Sequence, residues 1–331
     1  MLPRTFWGFL PGDKKVVVVG LGRSGRAAAT LLKRLGHDVV VSEIEDSPRT
    51  RGICGELGRQ GVGCELGRHS PQMFGGAGLI VVSPGARADL ACLQYAREKG
   101  IRVIPEIELA ASLCPAKIIA VTGTNGKSTT VSLIGAALRG GGKKAHICGN
   151  IGNPFSGEIG NIGRDDIVCL EVSSFQLQTI DKFKPYVAVI LNISPNHLNR
   201  HRDIGEYFVA KKRIFANQDR RDWLVLNKGD LRLAGLGCGI RPQIKFFPDD
   251  LRINGVTLNA NQAAALSVAE VFGVSGEGCL EAFRDFGGLE HRLEFVANIR
   301  GVDFVNDSKS TTVASLGWAL RKISRPIVLI A

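Results

Sequence analysis

Paired cysteines, aromatic residues and long apolar runs are all scarce in this 331-residue chain. The eight cysteines are scattered and include no C-x-x-C pair, which argues against a zinc site and against a disulfide framework. A reducing, cytoplasmic compartment is therefore expected. No stretch of about 18 uncharged apolar residues occurs, so no membrane span is expected either. Residues 1–14 lack the charged start and apolar core of a signal peptide.

The net charge of +11 is not concentrated in any one part of the chain. Lysine and arginine are dispersed, aromatic residues make up only 6%, and no nucleic-acid motif is recognisable, so no nucleic-acid partner is expected. A positive field would also help an enzyme that binds polyanionic small molecules, and an ordinary basic composition explains the charge equally well. The composition, 44% hydrophobic and 22% charged, is typical of a globular protein with about two or three domains.

The most informative segment is the stretch 121–129, which reads VTGTNGKST. An apolar run ends there in a glycine-rich turn and a helical pattern follows, so successive backbone N–H groups can cradle phosphate oxygens. The lysine would bring positive charge to the terminal phosphates, and a hydroxyl after it would reach magnesium. The usual first glycine is a valine at 121, and a plain strand–turn–helix with a solvated lysine is the alternative. The residues expected to bind ATP are Gly123, Thr124, Asn125, Gly126, Lys127, Ser128 and Thr129.

A second glycine-rich motif lies near the start of the chain. An apolar strand leads into GLGRSG at 20–25, and the next strand ends at Glu43. An acidic residue about 20 positions after the glycines completes the βαβ dinucleotide-binding fingerprint, which taken alone indicates NAD. Further alternation of strands and helices predicts a Rossmann-like domain over residues 1–106.

The second unit, predicted over residues 107–288, contains the phosphate loop. Its later strands, at 167–170 and 187–191, are almost continuously apolar, as buried parallel strands are. Polar residues follow each of them, at the strand end where open α/β sheets bind ligands. Helical patterns at 204–217 and 261–272 complete this unit.

A third unit is predicted over residues 289–331. It contains a strand at 302–305 and ends at 327–331 in what reads as the next buried strand. This unit is too short for a Rossmann-sized domain, so we expect it to be either a fragment or the start of a domain that continues.

Taken together and in this order, the motifs resemble the Mur ligase family of peptidoglycan synthesis. The phosphate loop is one that this family shares with folylpolyglutamate synthases. The segment EVSSFQL (171–177), together with a Rossmann-like first domain, resembles the family member that adds D-glutamate. The matching segments are GLGRSG (20–25), SPG (83–85), GTNGKST (123–129), GNIGNP (149–154), EVSSFQL (171–177), HLNRH (197–201), AKKRIF (210–215), EHR (290–292) and NDSKST (306–311).

The resemblance implies a three-domain α/β architecture, with a Rossmann-like N-terminal domain, a P-loop central ATPase domain and a truncated Rossmann-like C-terminal domain. It implies an ADP-forming ligase that uses ATP to phosphorylate the carboxylate of UDP-N-acetylmuramoyl-L-alanine and then joins it to D-glutamate. A monomer is the expected state. The alternatives are the L-alanine-adding Mur enzyme, a folylpolyglutamate synthase, which would lack the first domain, and a non-catalytic nucleotide-binding module.

The resemblance also assigns catalytic and metal-binding residues. Lys127 would neutralise the transferring phosphate, and Ser128 with Glu171 would hold one magnesium ion. His197 resembles the family histidine that serves a second magnesium, and a loop histidine held by hydrogen bonds is the alternative. Lys211 corresponds to a lysine that members of this family carbamylate, which would let it stabilise the second magnesium. It is chosen over the lysine that follows it by register alone.

Substrate-binding residues are implied in the same way. The fingerprint of the first domain would bind the UDP part of the substrate rather than NAD. For Asn150 the alternative is a structural role, because an asparagine beside glycines is also typical of a turn. The residues implied for the UDP substrate are Gly22, Arg23, Ser24, Glu43, Ser83 and Asn150, those for ATP outside the loop are Asn261, Arg292 and Asp307, and those for D-glutamate are Lys309 and Thr311.

Three departures from the family pattern bear on these assignments. Asn196 and Asn199 stand where the family usually has aspartate, which reduces negative charge near the second metal. The segment Val256–Asn259 replaces the usual Gly-x-His-Asn ahead of Asn261. Most of the C-terminal domain is expected to be missing, in which case ATP and UDP-substrate sites could persist while ligation fails.

Overall fold

The computed structural model describes residues 14–87, 89–195, 201–236, 239–310 and 313–330. This part of the chain has the predicted α/β architecture, with two parallel sheets followed by two short antiparallel hairpins. No helix within these ranges has both the length and the apolar character that a bilayer-spanning segment requires.

The first sheet consists of β1 (Val16–Val19), β2 (Val39–Glu43), β3 (Gly63–Leu66), β4 (Leu79–Val82) and β5 (Arg102–Pro105), and its helices are α1 (Arg23–Arg34), α2 (Pro48–Gly58), α3 (Pro71–Gly75) and α4 (Ala91–Glu98). The five strands are parallel in the order β3-β2-β1-β4-β5. Alternate valines of β1 pack into different clusters, one with α1 and the other with α3 and α4. Helices therefore cover both faces, as continuous apolar strands require. The strand order reverses between β1 and β4, where such sheets form a ligand-binding crevice.

The second sheet consists of β6 (Lys117–Thr122), β7 (Ala145–Gly149), β8 (Ile167–Glu171), β9 (Val187–Ile190), β10 (Trp223–Asn227) and β11 (Gln243–Phe247). Helix α5 (Glu106–Leu113) connects the two sheets. The helices of the second sheet are α6 (Lys127–Gly140), α7 (Phe155–Glu158), α8 (Ser174–Leu177), α9 (Ile204–Lys212), α10 (Leu231–Ala234), α11 (Ala260–Val271) and α12 (Gly276–Arg284), with 3-10 turns at Ile159–Asn161 and Arg213–Phe215. The six strands are parallel in the order β11-β10-β9-β6-β8-β7.

Strand β6 lies between the two hydrophobic layers of the second sheet. Ile118 and Ala120 pack into the core that also contains α5, whereas Ile119 and Val121 pack against α6 and α11. Burial of each branched apolar side chain contributes about 1.5–3 kcal/mol, so the strand that carries the phosphate loop is strongly anchored.

Two buried carboxylates fix helix α5 to the second sheet. Glu108 accepts hydrogen bonds from the backbone N–H groups of residues 181–183, at 2.7–3.1 Å. One oxygen of Glu106 accepts a hydrogen bond of 2.6 Å from the backbone N–H of Ser156, and burial raises the pKa of this carboxyl. These contacts hold the segments after β7 and β8 against the helix that connects the two sheets.

The last described part contains β12 (Asp250–Ile253), β13 (Val256–Asn259), β14 (Glu294–Ile299), β15 (Val302–Asn306) and α13 (Val313–Lys322). β12 pairs with β13 and β14 pairs with β15, both antiparallel. Two predictions need correction. Residues 327–330 are exposed and form no strand, because no other strand pairs with them in the described chain. The helix predicted at 204–217 ends at Lys212 and continues as a 3-10 turn.

Candidate functional site

Three neighbouring strands bring polar side chains to one edge of the second sheet. β6 ends at Thr122, β8 ends at Glu171, and Asn192 follows β9. Because β6 lies between β8 and β9, these residues flank the segment that follows Thr122. This is the carboxyl edge of a parallel sheet, where α/β proteins bind ligands.

The glycine-rich turn leads directly into helix α6. Gly126 has a left-handed φ of 82°, and a Cβ there would collide with the side-chain oxygen of Asn261. Val121 stands where a first glycine is usual, but it is a fully buried residue of β6 and not part of the turn. The turn therefore keeps its shape, and the first turn of α6, from Lys127, offers backbone N–H groups to an anion.

Lys127 lies over the loop that precedes it. Its ammonium donates hydrogen bonds to the carbonyl oxygens of Gly123 and Thr124, at 3.1 and 2.9 Å. Burial lowers its pKa, the charge of Glu171 opposes that shift, and Arg292 adds to it. A phosphate bound by the loop would meet this ammonium directly.

The loop is held by residues that follow β9. The backbone N–H of Asn125 donates to Oδ1 of Asn192 at 2.9 Å, and Nδ2 of Asn192 donates back to the carbonyl of Asn125 at 3.2 Å. Thr124 and Ser194 exchange two further hydrogen bonds, at 3.0 and 3.2 Å. Thr129 is half-buried in the first turn of α6. A loop fixed in this way is preorganised for a ligand.

A buried hydroxyl and carboxylate meet beside the loop. Ser128 Oγ donates to one oxygen of Glu171 at 2.7 Å, and Asn150 Nδ2 donates to the other at 2.9 Å. Hydroxyl and carboxylate oxygens are the ligands that a hard cation such as magnesium prefers, so the pair fits a magnesium ion chemically. In the described ranges no group of three or more His, Cys, Asp or Glu side chains could hold a metal by itself. Asn150, which was predicted to bind the UDP substrate, thus contacts the predicted metal ligand Glu171.

The second lysine at the loop is Lys211. Its side chain is 1% exposed, and its ammonium donates to Thr122 Oγ1 at 3.2 Å and to the carbonyl of Gly123 at 2.8 Å. Burial lowers its pKa well below the usual value, nearby Lys127 lowers it further, and Glu171 opposes. Lys212 is half-buried, with its ammonium 5.0 Å from the ring centroid of Phe208. The structure therefore brings Lys211 to the loop.

Residues from later in the chain approach the same loop. Asn261 Oδ1 accepts a hydrogen bond of 3.3 Å from Thr130 of α6. The guanidinium of Arg292 donates to Ser128 Oγ at 3.3 Å. Asp307 does not contact the loop, but its carboxylate accepts the backbone N–H of the residue after Arg292, at 3.1 Å. Asp307 is thus placed to orient the segment that carries Arg292.

Among the described residues, the predicted Lys309 does not join this cluster. Lys309 is exposed, and its backbone N–H donates to the carbonyl of residue 291. His197 and Thr311 lie outside the described residues, as do Asn196 and Asn199. Their assignments stay predictions.

The second glycine-rich motif lies at the carboxyl edge of the first sheet. Gly22 precedes α1, in which Arg23 is exposed and Ser24 half-buried. One oxygen of Glu43 accepts the backbone N–H of Leu21 at 2.7 Å, which ties the end of β2 to this loop. The start of a 12-residue helix next to the loop suits an anion such as a diphosphate.

A cleft of about 1000 Å³ is lined by residues from both sheets and their connections. Ser83 and Pro84, after β4, line one side, and Phe175 and Arg213 line the other. The predicted UDP-substrate residue Ser83 and the segment after Glu171 therefore face the same space. On another side of the contact between the sheets, the guanidinium of Arg23 donates to the carbonyl of residue 152.

Residues that contact the loop or its neighbours but were not predicted include Asn192, Ser194, His201 and Tyr207. For Asn192 the position after a buried strand was an available signal. Tyr207 lies four residues before Lys211 on α9, so both side chains occupy one face of that helix. His201 ends the matching segment HLNRH (197–201), which was an available signal, but its contacts come from other elements and could not be predicted from that segment.

A Rossmann-like sheet beside a phosphate-loop sheet defines an α/β nucleotide-binding protein. Two family models match: the Mur ligase MurD-like N-terminal domain over residues 14–105, and the Mur ligase middle domain over residues 121–237. The UDP-N-acetylmuramoylalanine--D-glutamate ligase of Koribacter versatilis is 38% identical, over 96% of this chain and 77% of that protein. The ligase of the same name from Oleidesulfovibrio alaskensis is 42% identical, over 95% of this chain and 72% of that protein. The chain therefore belongs to the Mur ligase family.

Solved Mur ligases share the fold. The UDP-N-acetylmuramate:L-alanyl-gamma-D-glutamyl-meso-diaminopimelate ligase of Neisseria meningitides has a TM-score of 0.59 at 18% identity, covering 84% of this chain and 100% of that one. The UDP-N-acetylmuramate-alanine ligase of Thermotoga maritima has a TM-score of 0.55 at 20% identity, covering 89% and 74%. At this level of identity the likeness shows the fold alone.

Proposed function

We propose that this chain is a ligase that uses ATP to join D-glutamate to UDP-N-acetylmuramoyl-L-alanine, with ADP and phosphate as the other products. The observation that carries the proposal is the buried Ser128–Glu171 pair at the phosphate loop. Helix α8 begins three residues after Glu171, and its Phe175 lines the cleft that extends to Ser83. The two relatives described above bear the name of this activity and match nearly the whole chain.

The proposed reaction has two steps. A carboxylate oxygen of the UDP substrate attacks the γ-phosphorus of ATP, and ADP leaves, so that an acyl phosphate forms. The amine of D-glutamate then attacks the acyl carbon, phosphate leaves, and the nitrogen loses a proton to give the amide. Phosphoryl transfer of this kind depends on positioning and charge neutralisation, which Lys127 and the loop N–H groups would supply.

Bound magnesium would complete the ATP-binding part of the site. Ser128 Oγ and the Glu171 carboxylate would hold one magnesium ion, as their oxygen chemistry allows. Magnesium supplies charge neutralisation at the phosphate oxygens when bound. His197 and Lys211 would serve a second ion. Carbamate formation on Lys211 requires a neutral amine, and the lowered pKa of this buried lysine favours that form.

The binding sites for the substrates would be divided among the three parts of the chain. In this proposal residues 1–106 bind the UDP part through Gly22, Arg23 and Ser24, with Glu43 towards the uridine. Residues 107–288 bind ATP, and residues 289–331 contribute to the closure over ATP and the D-glutamate side. We place the reaction in the cytoplasm and favour a monomer.

The test is product formation by the purified chain with ATP, magnesium, UDP-N-acetylmuramoyl-L-alanine and D-glutamate, followed by ADP release and mass spectrometry. Parallel reactions offer UDP-N-acetylmuramate with L-alanine, and dihydrofolate with glutamate. Product only in the D-glutamate reaction supports the proposal, and product in either parallel reaction replaces it with that activity. Nucleotide binding without any product would favour the non-catalytic module.

A further inference from the structure

An aromatic column joins helix α8 to helix α9. It consists of Phe175, His201 and Tyr207. The ring of His201 stacks on Phe175 with centroids 5.4 Å apart and planes at 10°, and meets the edge of Tyr207 at 5.1 Å and 66°. His201 is 1% exposed. A histidine so enclosed is fixed in orientation by its neighbours.

Hydrogen bonds define which nitrogen of His201 carries the proton. Gln178 Nε2 lies 3.4 Å from Nδ1, and an amide nitrogen can only donate, so Nδ1 accepts. Nε2–H then donates to Ser174 Oγ at 3.0 Å. Burial lowers the pKa of this imidazole, nearby Lys211 lowers it further, and Glu206 opposes. The neutral ring therefore holds the first residue of α8.

The two ends of the aromatic column reach different parts of the site. At one end, Phe175 lines the cleft that Ser83 also lines. At the other end, the hydroxyl of Tyr207 donates to Thr124 Oγ1 of the phosphate loop at 3.4 Å, and the Lys211 ammonium lies 4.5 Å from the Tyr207 ring centroid. The column thus spans from the cleft to the phosphate loop.

We infer that His201 is a positioning residue, which fixes Ser174 and Phe175 as the wall of the cleft and thereby sets the affinity for the UDP-linked carboxylate substrate. The inference rests on the proposed function, since it takes that substrate to occupy the cleft. The donor at Nε2 is the decisive contact. Without this hydrogen bond the buried hydroxyl of Ser174 loses a partner, and Ser174 and Phe175 are no longer held in place. The substrate must then order this wall of the cleft when it binds, which weakens its affinity.

The experiment is isothermal titration calorimetry of the full chain with UDP-N-acetylmuramoyl-L-alanine and, separately, with a non-hydrolysable ATP analogue. His201→Phe keeps a ring in the column but removes the donor, and we expect it to raise the Kd for the UDP substrate about tenfold. The Kd for the ATP analogue should change less than about twofold, because the loop keeps its other contacts. His201→Gln restores a donor near Nε2 and should bring the Kd within about threefold of wild type.

Ser174→Ala removes the other partner of the same hydrogen bond. It should reproduce the effect of His201→Phe, and the double variant should add little, because both changes remove one interaction. If His201→Phe does not fold, Ser174→Ala and His201→Gln carry the test. An unchanged Kd for the UDP substrate, or a parallel rise of both Kd values, overturns the inference. A wild-type chain that does not bind the UDP substrate overturns the proposed function together with it.

Discussion

Replacing Lys211 by methionine should separate the catalytic from the structural contribution of a buried lysine. The change removes the ammonium's hydrogen bonds to Thr122 Oγ1 and the carbonyl of Gly123, each worth about 1 kcal/mol net. It also removes the cost of burying a cation beside Lys127, and the unbranched methionine keeps contact with Tyr207. These effects oppose each other, so the free energy of unfolding should change by less than about 2 kcal/mol.

Activity should respond much more strongly. If the lysine acts through a carbamate at the second magnesium, its loss removes charge stabilisation worth about 3 kcal/mol or more, which corresponds to at least about a hundredfold in kcat. In Lys211→Ala, which leaves the space of the side chain empty, a short added carboxylate should restore part of that activity. Lys212→Met is the matched control, because Lys212 is half-buried and its ammonium lies over Phe208 instead of the loop. We expect it to retain activity within about threefold.

Urea unfolding and ADP release, measured on the same preparations, check this prediction. Equal sensitivity of the two lysines would refute the assignment of Lys211. A fully active Lys211→Met would refute any catalytic contribution of this side chain.

Four further outcomes are expected. Glu108→Ala leaves the buried N–H groups of residues 181–183 without their acceptor, so it should lower the free energy of unfolding, measured with urea, by about 3–5 kcal/mol. Glu98→Ala, at an exposed glutamate, is the control and should lower it by less than about 0.5 kcal/mol. In Gly126→Ala the added Cβ would collide with the side chain of Asn261 and the residue would need a left-handed φ, so calorimetry should show at least about tenfold weaker binding of the ATP analogue. Gly142→Ala is the control, because Gly142 also has a positive φ but lies in open space, and it should leave the Kd for the ATP analogue unchanged. Burial lowers the pKa of His201 from its usual 6.5 in the folded state, so the unfolded chain binds more protons as the pH falls through that range. The free energy of unfolding should therefore decrease as the pH is lowered from 7.5 to 5.5, and it should decrease less in His201→Phe. Urea unfolding at each pH measures both. Titration with NAD should show no binding where the UDP substrate binds, and tight NAD binding alone would reverse the assignment of the first sheet.

The fold could be predicted wherever the sequence carries a strong period or a glycine signal. The apolar runs gave β1, β8 and β9 to within a residue or two, and the predicted helix at 261–272 corresponds to α11, Ala260–Val271. Strand β3, Gly63–Leu66, was not predicted, because it is a sheet-edge strand whose residues are exposed or half-buried and show no apolar run.

Two errors arise from tertiary context. The apolar residues 327–330 read as a buried strand, but a strand needs a neighbour to satisfy its backbone, and none is present in the described chain. The end of α9 was placed too late because a 3-10 turn buries nearly the same side chains as a further turn of α-helix.

The site was predictable in part. Glycine spacing indicated the phosphate loop, and strand ends indicated Glu171. The hydrogen bond of Tyr207 to Thr124 joins residues 83 positions apart, and that of His201 to Ser174 joins residues 27 apart. Contacts of this kind depend on how helices pack, which local patterns do not record.

The hairpin before α11 has a consequence for how this family can vary. β13 ends in Asn259, whose side chain accepts the backbone N–H groups of Asn261 and Gln262, while Gln262 returns a contact to the backbone of Asn259. This capping box is a wholly local start signal for the helix. The exposed turn ahead of it, residues 254–257, can therefore change without displacing Asn261 from Gly126, whereas Leu258 is buried in the core that also contains α11. A segment that differs from the usual family pattern can in this way leave the nucleotide site unaltered.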